Sequence, residues 1–154
     1  MTQKVVLVDV DGTLVDYHNR LPQSARQAVD LARANGCLVF ACTGRSLAEM
    51  KPVQDAVQLD GIIGANGGYV ECRGEVLLHQ SIPADVERRL VDWLRARDLA
   101  FYLESNAGLF ASPNFREGAR DAILAYVRGH GKAVDESQAD IDDLMPGLSY
   151  GADL

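Results

Sequence analysis

Cysteine is scarce in this chain, and its three thiols, Cys37, Cys42 and Cys72, are scattered without any C-x-x-C spacing. Neither a disulfide framework nor a zinc site is indicated, and free thiols packed in or near the core are the ordinary expectation. Positive charge is also short, with 15 Lys and Arg against 22 Asp and Glu and a net charge of -7. No basic cluster offsets that balance, so a nucleic-acid partner is excluded on electrostatic grounds. Long apolar runs are missing too: none approaches the roughly 18 residues that a membrane helix requires. The stretch Val5-Val6-Leu7-Val8 meets Asp9 too soon to serve as a secretory signal. Repeats and low-complexity tracts are absent, and a cytoplasmic protein is expected. What is present is ordinary for a globular chain: 154 residues, 47% apolar and 24% charged, enough for one core or one core with an appendage.

The front of the chain alternates. Val5 to Val10 is an apolar, β-branched run, the pattern of a strand buried on both faces of a parallel sheet. Pro22 reads as a first helical residue, and Ala25, Ala28, Val29 and Ala32 recur at helical spacing until Asn35-Gly36. Residues 37–42 form a second buried strand. Ser46-Leu47-Ala48-Glu49 has the S-x-x-E form of a capping box and starts a second helix. Gly61 to Gly64 is a third strand, so the order is strand, helix, strand, helix, strand, which calls for a parallel sheet with right-handed crossovers. From Gly67 the pattern changes: residues 69–72 and 75–78 make a hairpin about Arg73-Gly74, and an α+β appendage follows with helix, two strands and helix. The boundary falls near residues 80–83, giving segments 1–81 and 82–154. The fold class is α/β, a Rossmann-like core with an α+β appendage.

The chemistry concentrates in Asp9-Val10-Asp11-Gly12-Thr13-Leu14. Carboxylates two residues apart on an extended chain point to one side, and the carboxyl ends of strands are where open α/β sheets bind ligands. Two neighbouring carboxylates repel, and a shared proton or a cation relieves them. Mg²⁺ suits such a pair, because it prefers hard oxygen donors and joins carboxylates to a substrate phosphate. One Asp could then attack phosphorus while its neighbour moves a proton. A plain Asp-Gly hairpin turn is the competing reading. An EF-hand is excluded, because counting from Asp9 the sixth loop position is Leu14 and the twelfth is Arg20. Thr43 stands at the end of the second strand, before Gly44-Arg45 and a helix start, where amides and a hydroxyl would attract an anion.

These stretches resemble a known family. Asp9-Val10-Asp11-Gly12-Thr13-Leu14 resembles the first motif of the haloacid dehalogenase superfamily of phosphohydrolases, and Thr43-Gly44-Arg45 is similar to the second motif of its Cof-type branch. Leu21-Pro22 with its helix and Ala65-Asn66-Gly67-Gly68-Tyr69-Val70 fit the same branch. The likeness is specific over residues 4–78 and looser beyond, where the appendage is similar to the start of that branch's α+β cap. The resemblance implies that Asp9 is the nucleophile and a Mg²⁺ ligand. It makes Asp11 the general acid/base with its main-chain carbonyl on the metal. Thr43 and Gly44 would hold the phosphoryl group, and Arg45 and Asn66 would face the substrate.

The same resemblance marks a departure. Family members carry a further Lys and a Gly-Asp-rich acidic motif after the cap. Lys132 lies within the cap-like stretch, and Asp142-Asp143 have no apolar strand leading into them. The expectation is the front half of a longer protein. Three parallel strands in the natural order also leave the first at an edge, with unpaired backbone groups and an apolar face lacking its covering helix, calling for a C-terminal remainder, a partner chain, a homodimer or a swapped dimer to cover it. The expected activity is Mg²⁺-dependent hydrolysis of a small phosphorylated metabolite, such as a sugar phosphate, through an aspartyl-phosphate. A non-catalytic phosphate-binding fragment and a phosphomutase of the same fold are the alternatives.

Overall fold

The computed structural model describes residues 3–16, 19–129, 135 and 138–151, so Lys132 lies outside the described residues. Contacts divide the chain into two units, residues 1–81 and 82–154.

The first unit is one five-stranded sheet in sequence order: β1 (Val5–Asp9), β2 (Leu38–Cys42), β3 (Gly61–Gly64), β4 (Tyr69–Cys72) and β5 (Glu75–His79). β1, β2 and β3 run parallel, and the last two strands add as an antiparallel meander. Helix α1 (Gln23–Ala34) links β1 to β2, and α2 (Leu47–Ala56) links β2 to β3. Val29 of α1 and Met50 and Val53 of α2 share a core cluster with Val39, Ala41 and Ile62, against which Val6 and Val8 pack. By the strand register these sheet residues lie on a single face, so both helices cover the same side.

That arrangement corrects one expectation. β1 is not buried on both faces: Val5 is 55% and Leu7 57% exposed. They align with Leu38 and Phe40, on the side away from both helices, and among the described residues β1 has a strand neighbour on one edge only. Phe40 is buried nonetheless, because its ring lies over Gly61, where a Cβ would sit 2.3 Å from it. Two smaller points concern the helix ends. Pro22 stands just outside α1 in an extended conformation instead of at its first position. At α2 the Ser46 N–H donates to Glu49 Oε2 at 3.0 Å, and its hydroxyl donates to the same oxygen at 3.1 Å. Helix α1 ends at Ala34, and Gly36, just beyond its Asn35 cap, has a φ of 81° that suits a residue without a Cβ.

The second unit holds α3 (Ala84–Arg95), β6 (Tyr102–Ser105), β7 (Gly108–Ala111), α4 (Phe115–Gly118), α5 (Arg120–Gly129), α6 (Ile141–Leu144) and β8 (Leu148–Tyr150). Its sheet has the order β6-β7-β8, antiparallel and then parallel. The sequence pattern anticipates α3, β6, β7 and α5. It does not show α4, α6 or β8, which are only three or four residues long and carry no period of their own. Ala111, Phe115 and Ile141 form the core, with Tyr102 set edge-on to Phe115 at 5.6 Å. Among the described residues no helix is long and apolar enough to cross a membrane.

Candidate active site

Asp9 is the last residue of β1, and its side chain is exposed. The chain then turns tightly. The N–H groups of Leu14 and Val15 donate to the Val10 carbonyl at 3.0 and 2.9 Å, and Gly12, at φ 77°, donates to Val15 O at 2.9 Å. Val10, Leu14 and Val15 are buried, whereas Asp9, Asp11, Gly12 and Thr13 are exposed. Burying the apolar positions 10, 14 and 15 thus presents the polar ones outward. Asp11-Gly12 does make a turn, but Val15 leads toward α1 and forms no hairpin with β1. Because β1 stops at Asp9, the placement of Asp11 is set by the turn and not by strand alternation.

The neighbouring strand ends beside it. Asp9 aligns with Cys42, so Thr43 follows directly at the carboxyl end of β2. Thr43 is buried; its N–H donates to Ile63 O at 2.9 Å, and its Oγ1 accepts the Arg45 N–H at 3.2 Å. Accepting that bond leaves the hydroxyl hydrogen available to an incoming oxygen. After β3 the chain is left-handed at three successive residues, Ala65 (φ 49°), Asn66 (φ 53°) and Gly67 (φ 92°). For a residue with a Cβ such as Ala65 that conformation costs on the order of 1–2 kcal/mol. Cross-links hold it: Ala65 N–H donates to Arg45 O at 2.8 Å and Asn66 N–H to Thr43 O at 3.3 Å. Asn66 is thereby brought against Gly44, whose missing Cβ would sit 3.2 Å from Asn66 Oδ1. The ends of β1, β2 and β3 thus carry Asp9, Thr43 and Asn66 respectively, the last two being cross-linked.

Arg45 has a specific partner. Its Nε donates to Asp11 Oδ2 at 3.1 Å and its Nη2 to Asp11 Oδ1 at 2.5 Å, a two-pronged ion pair. Nη2 also donates to Asn19 Oδ1 at 2.7 Å. The side chain expected to face substrate is therefore engaged with Asp11, and its own exposure is only 16%. Asn19 is a residue the sequence reading missed. It sits in the polar loop between Val15 and Leu21, where a single Asn has no spacing signal; its left-handed backbone is visible only in three dimensions.

Other acidic groups serve structure. Asp60, at the opposite end of β3, accepts from Arg33 Nε and from Val39 N–H, both at 3.0 Å, and the Arg33 bond holds its pKa below the ordinary 3.8 against the opposing effect of burial. Asp142 is bonded by Arg116 and by the Tyr150 hydroxyl, at 2.6 Å, and its pKa is likewise lowered, chiefly by Arg116. Among the described residues no group of three or more His, Cys, Asp and Glu gathers as a metal cage. With the Asp11 carboxylate engaged by Arg45, the donors at the end of β1 are the exposed Asp9 carboxylate and the Asp11 main-chain carbonyl, hard oxygen ligands that fit Mg²⁺ when a substrate phosphate and water complete the shell.

Comparison with known proteins decides the family. The profile of the haloacid dehalogenase-like hydrolases matches residues 6–145. The chain belongs to this family. Among curated relatives, the phosphoglycolate phosphatase of Methanoculleus marisnigri is 30% identical over 162 residues, covering 98% of this chain and 68% of that protein. The 5-amino-6-(5-phospho-D-ribitylamino)uracil phosphatase YwtE of Bacillus subtilis is 29% identical over 99 residues, 64% of this chain and 34% of that one. Among solved structures, the haloacid dehalogenase phosphatase BT1666 of Bacteroides thetaiotaomicron matches with a TM-score of 0.64 at 33% identity, over 82% of this chain and 47% of that one. The first curated relatives are much longer: the chain spans 35%, 57% and 34% of their lengths. The family is one of hydrolases, and these curated relatives are phosphatases.

Proposed function

We propose that the protein is a phosphohydrolase of the Cof-type branch, acting in the cytoplasm on a small phosphorylated metabolite. In this reading residues 1–81 are the catalytic core and residues 82–154 part of a cap. The carrying observation is the alignment of Asp9 with Cys42, which sets an exposed carboxylate on the strand beside Thr43 and Gly44. A phosphoryl group bound by the Thr43 hydroxyl and the Gly44 amide would sit beside a nucleophile on the neighbouring strand end.

Asp9 attacks phosphorus, and the bond to the leaving oxygen breaks as Asp11 gives that oxygen a proton. Water then cleaves the aspartyl-phosphate, with Asp11 taking the proton back. Asp9, through its carboxylate, and Asp11, through its main-chain carbonyl, would hold Mg²⁺, which supplies charge neutralisation when bound. Arg45 orients Asp11, and Asn66 lines the side toward the leaving group.

The test is Mg²⁺-dependent phosphate release from an aryl phosphate by the chain and by Asp9→Asn. Loss of at least about 10³-fold on substitution is expected, the scale on which removing a covalent nucleophile acts. Equal, background rates from two folded proteins would instead identify a phosphate-binding fragment.

A further inference from the structure

Arg45 and Asp11 do not stand alone. An exposed ion pair is ordinarily worth about 0–1 kcal/mol, because two long side chains must be held in one geometry. Asp11 is 61% exposed, so the direction of its carboxylate depends on where the largely buried Arg45 guanidinium is held. The third member of the cluster supplies that hold. Nη2 carries two hydrogens; one goes to Asp11 Oδ1 and the other to Asn19 Oδ1 at 2.7 Å, which fixes the guanidinium plane against rotation about its stem.

Asn19 is itself anchored by main chain. Its N–H donates to Asp16 O, Arg20 N–H donates to Asp16 Oδ1, and Asp16 N–H donates to Arg20 O, each at 2.9 Å. Its φ of 61° places it in the left-handed region. The cluster therefore ties three separate segments together: the turn after β1, the residue before the Ser46 cap of α2, and the loop that precedes α1.

We propose that Asn19 is a positioning residue that holds Asp11 in place through Arg45. The consequence for catalysis rests on the phosphohydrolase reading, in which Asp11 must lie within hydrogen-bond reach of the leaving oxygen. A displacement of about 1 Å at such a group can lower a rate about 100-fold.

Asparagine also occurs at left-handed positions simply because it tolerates them. Two substitutions separate that turn role from positioning. Asn19→Gly keeps the backbone, since glycine takes positive φ freely, and removes the acceptor oxygen. Asn19→Asp keeps an oxygen at the same reach, with a charge that suits a guanidinium. A turn-only residue is served at least as well by glycine as by aspartate; a positioning residue is served by aspartate alone.

The experiment has two readouts on the full chain. In ¹⁵N–¹H spectra, solvent exchange of the Arg45 Nε–H rises about tenfold in Asn19→Gly and stays within about twofold of wild type in Asn19→Asp, as expected if the third hydrogen bond restrains the guanidinium. In Mg²⁺-dependent hydrolysis of an alkyl phosphate such as glycerol 3-phosphate, whose basic leaving oxygen needs the proton, kcat falls about tenfold in Asn19→Gly with KM within about twofold, and Asn19→Asp restores most of the loss. Unchanged Arg45 exchange in Asn19→Gly overturns the proposal, as does faster exchange with unchanged kcat. If wild type and Asp9→Asn hydrolyse equally, the phosphohydrolase reading falls and the exchange measurement alone decides whether Asn19 positions Asp11.

Discussion

The two faces of the five-stranded sheet differ more than their sequences do. On one, Val6, Val8, Val39, Ala41 and Ile62 meet α1 and α2 and form a closed core. On the other, Val5 and Leu7, equally apolar, remain more than half exposed. Apolar identity therefore names a residue that could be buried; a covering element buries it, or a close neighbour such as Gly61 beneath the Phe40 ring. In β1 the covered and the bare residues are direct neighbours.

Substitutions can break or sharpen this contrast. The largest effect is expected at Ile62, 2% exposed in the covered core. Ile62→Ala should cost about 2–5 kcal/mol in urea unfolding, through lost burial and the cavity left behind. Gly61→Ala follows, because its Cβ would sit 2.2 Å from the Glu71 carbonyl and 2.3 Å from the Phe40 ring. Overpacking of that kind should cost about 1–3 kcal/mol or more, measured in the same way.

Asp60 supplies a pH-dependent test at the edge of the covered core. Its carboxylate is buried and held by Arg33 and Val39, with Arg73 at 3.7 Å. Its folded pKa lies below the ordinary 3.8, so it binds a proton less readily folded than unfolded. The stability it contributes is therefore complete above about pH 4 and disappears as the pH falls through the lowered folded value. Asp60→Asn should lower stability by about 1–3 kcal/mol at neutral pH and flatten the acid limb of an unfolding-versus-pH curve. A limb of unchanged steepness would mean that other carboxylates govern it.

The smallest effect is expected on the bare face. Leu7→Ala should change stability by about 0.5 kcal/mol or less, as at an ordinary surface site. A cost equal to that of Ile62→Ala would show that the face is covered in solution, by a second copy or another partner, and sedimentation of the chain would tell which.

Much of the fold was legible because long periodic segments carry their own signal. Val29 and Ala32 mark α1, the β-branched run 5–8 marks β1, and Ser46 with Glu49 marks the start of α2. The elements that escaped, α4, α6 and β8, are too short for any period. At the site, Asp9 and Thr43 were readable as polar residues closing apolar strands. The Asp11–Arg45–Asn19 cluster was not, since its members are far apart in sequence and meet through side chains.

The sequence by itself determined the alternation of strands and helices, the polar residues that end the strands, and the resemblance they carry, because each depends on residues close together along the chain. Only tertiary structure decided that α1 and α2 share one face, that Phe40 is buried over Gly61 while Val5 and Leu7 stay exposed, and that Arg45 bonds both Asp11 and Asn19. Those outcomes depend on which distant segments occupy the same space, and local pattern does not encode that.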